Sequence, residues 1–188
     1  MTNDPELADK IRRLRSHGIT SDPALMQSRP ENEIWNYQQI ELGFNYRMTD
    51  IHAALGLSQL DRLDDYVNRR HAVAKTYNAQ LSELPLQLPF QHPEAFSSLH
   101  LYPIRVSESG AGPKQRQVYD RLQAAGINVN LHYIPVYRQP YYTALGFKAG
   151  YCPEAERYFR EAISMPIYPT LAPEQIDYII NSTRALFV

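Results

Sequence analysis

Ile40-Glu41-Leu42-Gly43-Phe44-Asn45-Tyr46-Arg47-Met48-Thr49-Asp50-Ile51-His52-Ala53-Ala54-Leu55-Gly56-Leu57-Ser58-Gln59-Leu60 decides how the chain is read. A polar, aromatic loop from Gly43 to Arg47 runs directly into a helix. Thr49 and Asp50 stand where N-caps stand, and Ile51, Ala54, Leu55 and Leu57 follow at helical spacing, so a helix is expected from Met48 to about Leu60. The triplet Asn45-Tyr46-Arg47 at a helix entry offers an amide, a phenol and a guanidinium to a ligand, and an anion is the natural match. Taken alone, Asn45 has two readings: a donor to a phosphate oxygen, or an asparagine that shapes its own loop. Arg47 likewise either lines the same mouth or pairs with Asp50 and fixes the turn.

Upstream, Asp4-Pro5-Glu6-Leu7-Ala8-Asp9-Lys10-Ile11-Arg12-Arg13-Leu14-Arg15 reads as a helix capped by Asp4, with Pro5 in the first turn and Gly18 ending it. Arg12, Arg13 and Arg15 read as a solvated last turn that complements the helix dipole rather than as an anion site. Residues 19–44 carry no long periodic pattern and form a long loop. Downstream, Tyr66, Val67, Arg70, Val73, Ala74, Tyr77, Leu81 and Leu84 trace one face of a second helix that stops at Pro85. Beyond a proline-rich connection, Leu99–Val106 reads as a strand, with Pro103 arguing for an edge or a bulge. A helix over Pro113–Ala125, a half-buried strand over Ile127–Ile134, a helix over Pro153–Ala162, a strand over Ile163–Tyr168 and a helix over Ala172–Phe187 complete the pattern. This alternation suits a small α/β layer with helices over one face of a sheet.

The bulk numbers exclude several classes. Nineteen Lys and Arg stand against 20 Asp and Glu, so no basic field exists to attract nucleic acid or anionic lipid. Fourteen tyrosines against six phenylalanines suit the half-buried walls of polar pockets and subunit contacts, or a core that uses Tyr for Phe. The lone Cys152 excludes an internal disulfide and a cysteine-rich metal site. Neither a signal peptide's apolar core nor a membrane span is present, and a cytoplasmic location is expected. Among the histidines, His17, His52, His71, His92 and His100 show no ligand spacing. His100 and His132 could approach on neighbouring strands, but no carboxylate partner is evident, so no metal site is expected. Tyr137, Tyr141 and Tyr142 beside Gln139 either wall a pocket or pack the helix that follows.

Four ordered blocks carry a resemblance to a known family. They are Asn3-Asp4-Pro5-Glu6-Leu7-Ala8 with Leu14-Arg15-Ser16-His17-Gly18, then Trp35-Asn36-Tyr37-Gln38-Gln39 with the Gly43–Leu60 stretch, then Leu99–Ile104 with Gly126–Tyr142, and finally Ser164-Met165-Pro166-Ile167-Tyr168-Pro169. Over essentially its whole length the chain resembles the DegT/DnrJ/EryC1/StrS sugar aminotransferases, which use pyridoxal 5'-phosphate (PLP). Within that family the likeness is closest to the transaminases of pseudaminic acid biosynthesis. The resemblance implies the α/β fold of type I PLP-dependent transferases. It implies that residues 1–65 are the tail of the large PLP-binding domain, with an interface loop over 19–47, and that 66–188 are the small C-terminal α/β domain.

For function, the resemblance implies the C-terminal portion of an enzyme that moves an amino group from glutamate to the 4-keto carbon of a UDP-linked 4-keto-6-deoxy-N-acetylhexosamine. Transamination needs a lysine that forms a Schiff base with PLP, and an acid at the pyridine nitrogen. None of the four lysines, Lys10, Lys75, Lys114 and Lys148, matches the family's lysine context. No catalytic residue is therefore assigned, and the chain alone is expected to be inactive. The roles that carry over are binding roles. Asn45 crosses the dimer interface to PLP phosphate or substrate of the neighbouring subunit. Asn130, His132 and Tyr133 contact the UDP-sugar, although alternation puts Asn130 and His132 on one face and Tyr133 on the other. The expected assembly is a homodimer, or a pairing in which this chain, itself non-catalytic, completes the active site of a companion that bears the lysine.

Overall fold

Asp4 starts the first element as its sequence requires, accepting through its carboxylate from the backbone N–H groups of Glu6 and Leu7. Helix α1 spans Pro5–Leu14. The computed structural model describes residues 2–28, 37–109 and 112–187, and the chain divides into two units, Met1–Asp61 and Arg62–Val188.

In the first unit, His17 and Gly18 take left-handed backbone (φ +62° and +70°) and turn the chain into β1 (Ile19–Thr20), which pairs antiparallel with β2 (Gln38–Gln39). The segment after β2 returns along the end of α1. Phe44 N donates to Leu14 O (2.6 Å), His17 N to Phe44 O (2.8 Å) and Tyr46 N to Arg15 O (2.9 Å), with a bridge between Ser16 and Asn45. The bonds to Leu14 O and Arg15 O occupy carbonyls that a helix C-terminus otherwise leaves to water. Two glycines permit the approach. A Cβ on Gly43 would stand 2.2 Å from Gly18 N, and one on Gly18 would stand 1.9 Å from Glu41 O. The ion pair from Arg13 Nε to Glu41 Oε1 (2.8 Å) ties the same two segments. Helix α2 (Asp50–Leu60) follows, with Thr49 as N-cap accepting from His52 N. None of the described apolar side chains of this unit is buried.

The second unit holds the core. Helix α3 (Leu63–Leu81) buries Val67, Val73, Ala74, Tyr77 and Leu81 on one face. The sheet is antiparallel with order β3 (Leu86–Gln87), β4 (Tyr102–Val106), β5 (Ala162–Met165). On β4, Tyr102, Ile104 and Val106 alternate inward and meet Tyr77 and Leu81 of α3, Val118 and Leu122 of α4 (Gln115–Ala124), and Ile179 and Ile180 of α7 (Pro173–Arg184). Two short helices, α5 (Pro140–Ala144) and α6 (Pro153–Glu161), lie between α4 and β5.

Several expectations are corrected. Helices lie on both faces of the sheet, because outward Arg105 of β4 bonds Glu161 of α6 (2.5 Å) and sits over the Tyr158 ring. Pro103 is on the central strand rather than an edge strand, but β3 reaches only Arg105 and Val106, so at Pro103 only β5 pairs. The stretch 127–134 is not a strand. Ile127 O accepts from Val129 N and Asn130 Oδ1 from Leu131 N, which satisfies backbone groups locally, and only the bridge between Asn130 and Ser164 remains. Strand β4 starts three residues late because Leu99 has left-handed backbone (φ +48°).

Candidate functional site

The residues singled out by sequence fall in both units. In the first, Asn45 sits on a segment whose backbone is held at both flanking positions by the end of α1. Its own side chain is exposed and forms no hydrogen bond among the described residues. The loop is thus shaped by backbone pairing and the two glycines, and the Asn45 amide stays open to a ligand. Phe44 and Tyr46 lie on the opposite face and stack on each other, rings 4.8 Å apart and nearly parallel. Arg47 forms no ion pair with Asp50, and both are exposed. Arg12 and Arg13 are engaged by Asp9 and Glu41. Trp35 and Asn36 lie outside the described residues. Gln38 and Gln39 serve the local fold, bonding Gln27 and His17 O through their amides.

In the second unit, Asn130, His132 and Tyr133 form a turn against β5. Asn130 pairs with Ser164 through both backbone groups, Ser164 N to Asn130 O (2.7 Å) and Asn130 N to Ser164 O (3.2 Å). His132 is half-buried, with Nδ1 2.8 Å from Ser164 Oγ. Tyr133 is 70 % exposed, and its ring stands edge-on to His132 at 4.7 Å. Sequence reasoning assigned Ser164 no site role of its own, although it opens the block Ser164–Pro169 and is the one hydroxyl in the otherwise apolar run Ala162-Ile163-Ser164-Met165. Tyr137 does not wall a pocket: it is buried, and its hydroxyl donates to Glu156 Oε1 (2.6 Å). Gly150 N bonds the same oxygen, and together these bonds hold the Glu156 carboxyl below its usual pKa. Tyr141 is exposed. Among the described residues, no group of three or more His, Cys, Asp and Glu could hold a metal ion. No helix among them is long and apolar enough to cross a membrane.

A Schiff-base lysine needs an enclosed site that favours its neutral form. All four lysines are exposed: Lys10 on α1, Lys75 on α3, Lys114 at the start of α4 and Lys148 in the loop before α6. Lys75 and Lys148 border open depressions of about 230 and 410 Å³.

Comparison with known proteins shows the family. The family model for DegT/DnrJ/EryC1/StrS aminotransferases matches residues 1–184. The spore coat polysaccharide biosynthesis protein SpsC of Bacillus subtilis is 36 % identical over 186 residues, which are 97 % of this chain and 47 % of SpsC. Helicobacter pylori PseC, an aminotransferase involved in the biosynthesis of pseudoaminic acid, aligns with TM-score 0.80 at 29 % identity, covering 99 % of this chain and 47 % of PseC. Spr1654 of Streptococcus pneumoniae in its PLP-form aligns with TM-score 0.82 at 30 % identity, covering 98 % of this chain and 44 % of Spr1654. The chain spans about half the length of the relatives it matches. It belongs to the DegT/DnrJ/EryC1/StrS aminotransferase family, as a C-terminal portion of the family's α/β fold.

Proposed function

We propose that this chain is the binding half of a PLP-dependent nucleotide-sugar aminotransferase. The intact enzyme takes the amino group of glutamate and places it on the 4-keto carbon of a UDP-linked 4-keto-6-deoxy-N-acetylhexosamine. Residues 1–65 act as the tail of the PLP-binding domain and 66–188 as the small domain. The observation that carries this reading is Asn45: an exposed amide, without a hydrogen-bond partner among the described residues, on a loop whose backbone is fixed. An amide donates to a phosphate oxygen without adding charge, and a rigid loop loses little entropy when it does so. In the assembled enzyme Asn45 holds the cofactor phosphate or the substrate of the neighbouring subunit. Asn130, His132 and Tyr133 contact the UDP-sugar. The likeness to PseC supports the substrate class, and the PLP-form of Spr1654 supports the cofactor.

Asn45→Asp tests the reading in the intact enzyme. A carboxylate in place of the amide loses a donor and faces a phosphate with like charge. PLP affinity is expected to fall roughly 30- to 150-fold, equivalent to about 2–3 kcal/mol. Asn45→Gln should recover part of it. Unchanged PLP retention in Asn45→Asp, measured by the cofactor content after gel filtration, would remove Asn45 from the site. Glutamate-dependent formation of the UDP-4-amino sugar checks the substrate, and turnover only on sugars carried by another nucleotide would overturn that part.

One observation favours a second reading, in which the chain completes a companion polypeptide. Helix α2 spreads apolar residues around most of its circumference, yet Ile51, Leu55, Leu57 and Leu60 are 59–82 % exposed. A helix of that composition belongs in an interior. Co-expression with a lysine-bearing N-terminal half separates the two readings: a stable, PLP-loaded complex supports the companion, and no association supports a single continuous enzyme.

A further inference from the structure

Ser164 is one of three buried polar residues among those described, with Thr20 and Thr183. Thr183 satisfies its hydroxyl within its own helix, donating to Ile179 O (2.7 Å). Ser164 lies on a strand whose four residues are all buried, and its Oγ has a single hydrogen-bond partner among the described residues, His132 Nδ1 at 2.8 Å. A buried hydroxyl without a partner is costly, so this contact is one the fold has reason to keep. The same residue pairs with Asn130 through both backbone groups. One position on β5 therefore holds the backbone of Asn130 and the ring of His132.

We propose that Ser164 is a positioning residue that sets the tautomer of His132. Its hydroxyl donates to Nδ1, so the neutral ring carries its proton on Nε2. The direction follows from hydrogen-bond accounting. Were Nδ1–H the donor, the Ser164 hydroxyl proton would be buried with no acceptor, which costs more than an idle lone pair on the same oxygen. The Nε2 atom has no partner among the described residues, and the edge-on Tyr133 ring restricts rotation of the imidazole. His132 thus offers an oriented N–H donor to a ligand oxygen: a hydroxyl, carbonyl or phosphate oxygen, all of which a nucleotide-sugar provides. The identity of that ligand rests on the function proposed above, whereas the tautomer does not.

Long-range 1H–15N spectra of the full chain, labelled at its six histidines, test the assignment. His132→Gln identifies the resonances, and spectra are recorded where the imidazole is neutral. The expected result is a dominant Nε2–H tautomer for His132. Ser164→Ala should erode that preference by about fivefold, and Ser164→Thr, which keeps the hydroxyl, should restore it. Dispersed methyl resonances from Ile104 and Ile163 report that each variant is folded. A dominant Nδ1–H tautomer in the parent chain, or a tautomer ratio unchanged by Ser164→Ala, would overturn the proposal. An enzyme that fails to use UDP-sugars would leave this spectroscopic result standing, so the two failures are distinguishable.

Discussion

Gly43→Ala is expected to release the Asn45 loop from the end of α1. A Cβ at this position would stand 2.2 Å from Gly18 N, 2.5 Å from His17 C and 2.8 Å from Leu14 O. All three are backbone atoms, so no side-chain rotation relieves the overlap. The segments must separate, and the bonds joining Phe44 and Tyr46 to Leu14, Arg15 and His17 go with them. Overpacking of this kind costs about 1–3 kcal/mol or more, and each lost bond about 1 kcal/mol. This unit has no buried apolar side chain among its described residues to oppose the loss. Hydrogen exchange provides the check: protection of the Phe44 and Tyr46 amides should collapse, while amides of β4 and β5 exchange as before. Retained protection at Phe44 would show that the close glycine contact is not what shapes the loop.

The largest loss of stability is expected from Tyr77→Ala. Tyr77 is fully buried, its ring 5.1 Å from Tyr102, and its hydroxyl donates to Pro166 O (2.9 Å). Removing a buried aromatic ring costs about 3–5 kcal/mol, a large share of the roughly 5–15 kcal/mol that holds a domain together. Tyr77→Phe isolates the polar part. It leaves the Pro166 carbonyl without its donor and should cost about 1–3 kcal/mol. Denaturant midpoints rank the three proteins, and a Tyr77→Ala midpoint equal to that of the parent would contradict the packing described here.

The same tyrosine gives the unit an alkaline limit. Burial, followed by the neighbouring Tyr102 and Tyr168, pushes the Tyr77 phenol far above its usual pKa, and burial does the same to Tyr102. The folded state therefore holds these protons more tightly than the unfolded chain. The resulting stability is fully present below the unfolded phenol value of about 10, and is lost as pH rises above it. Tyr77→Phe should make that alkaline loss shallower.

Local chemistry was legible in the sequence where the cause is local. The caps at Asp4 and Thr49 bond as their residue types require, and the apolar face of α3 is the buried one. Non-local causes were not legible. Ile127–Ile134 alternates like a strand and even buries Ile127 and Val129, but Asn130 turns its side chain to Leu131 N, and the ladder stops at one bridge. The closeness of Gly18 and Gly43 depends on a chain reversal that no window around either glycine contains. Ser164 was read only as part of the block Ser164–Pro169, because its importance lies with a histidine from another segment. For the candidate site, Asn45 and His132 were assigned through the family resemblance rather than from their residue types alone. Their differing situations, one amide open and one ring nitrogen engaged, required coordinates.

In the function proposed above, the chain contributes binding residues and the lysine comes from elsewhere. Absorbance titration of the 188-residue chain with PLP, followed by borohydride reduction and peptide mapping, addresses that claim most directly. The predicted result is no new saturable band and no lysine adduct above the level of scattered surface labelling. A stoichiometric, reducible adduct at one of Lys10, Lys75, Lys114 or Lys148 would contradict it and place the catalytic lysine within this chain.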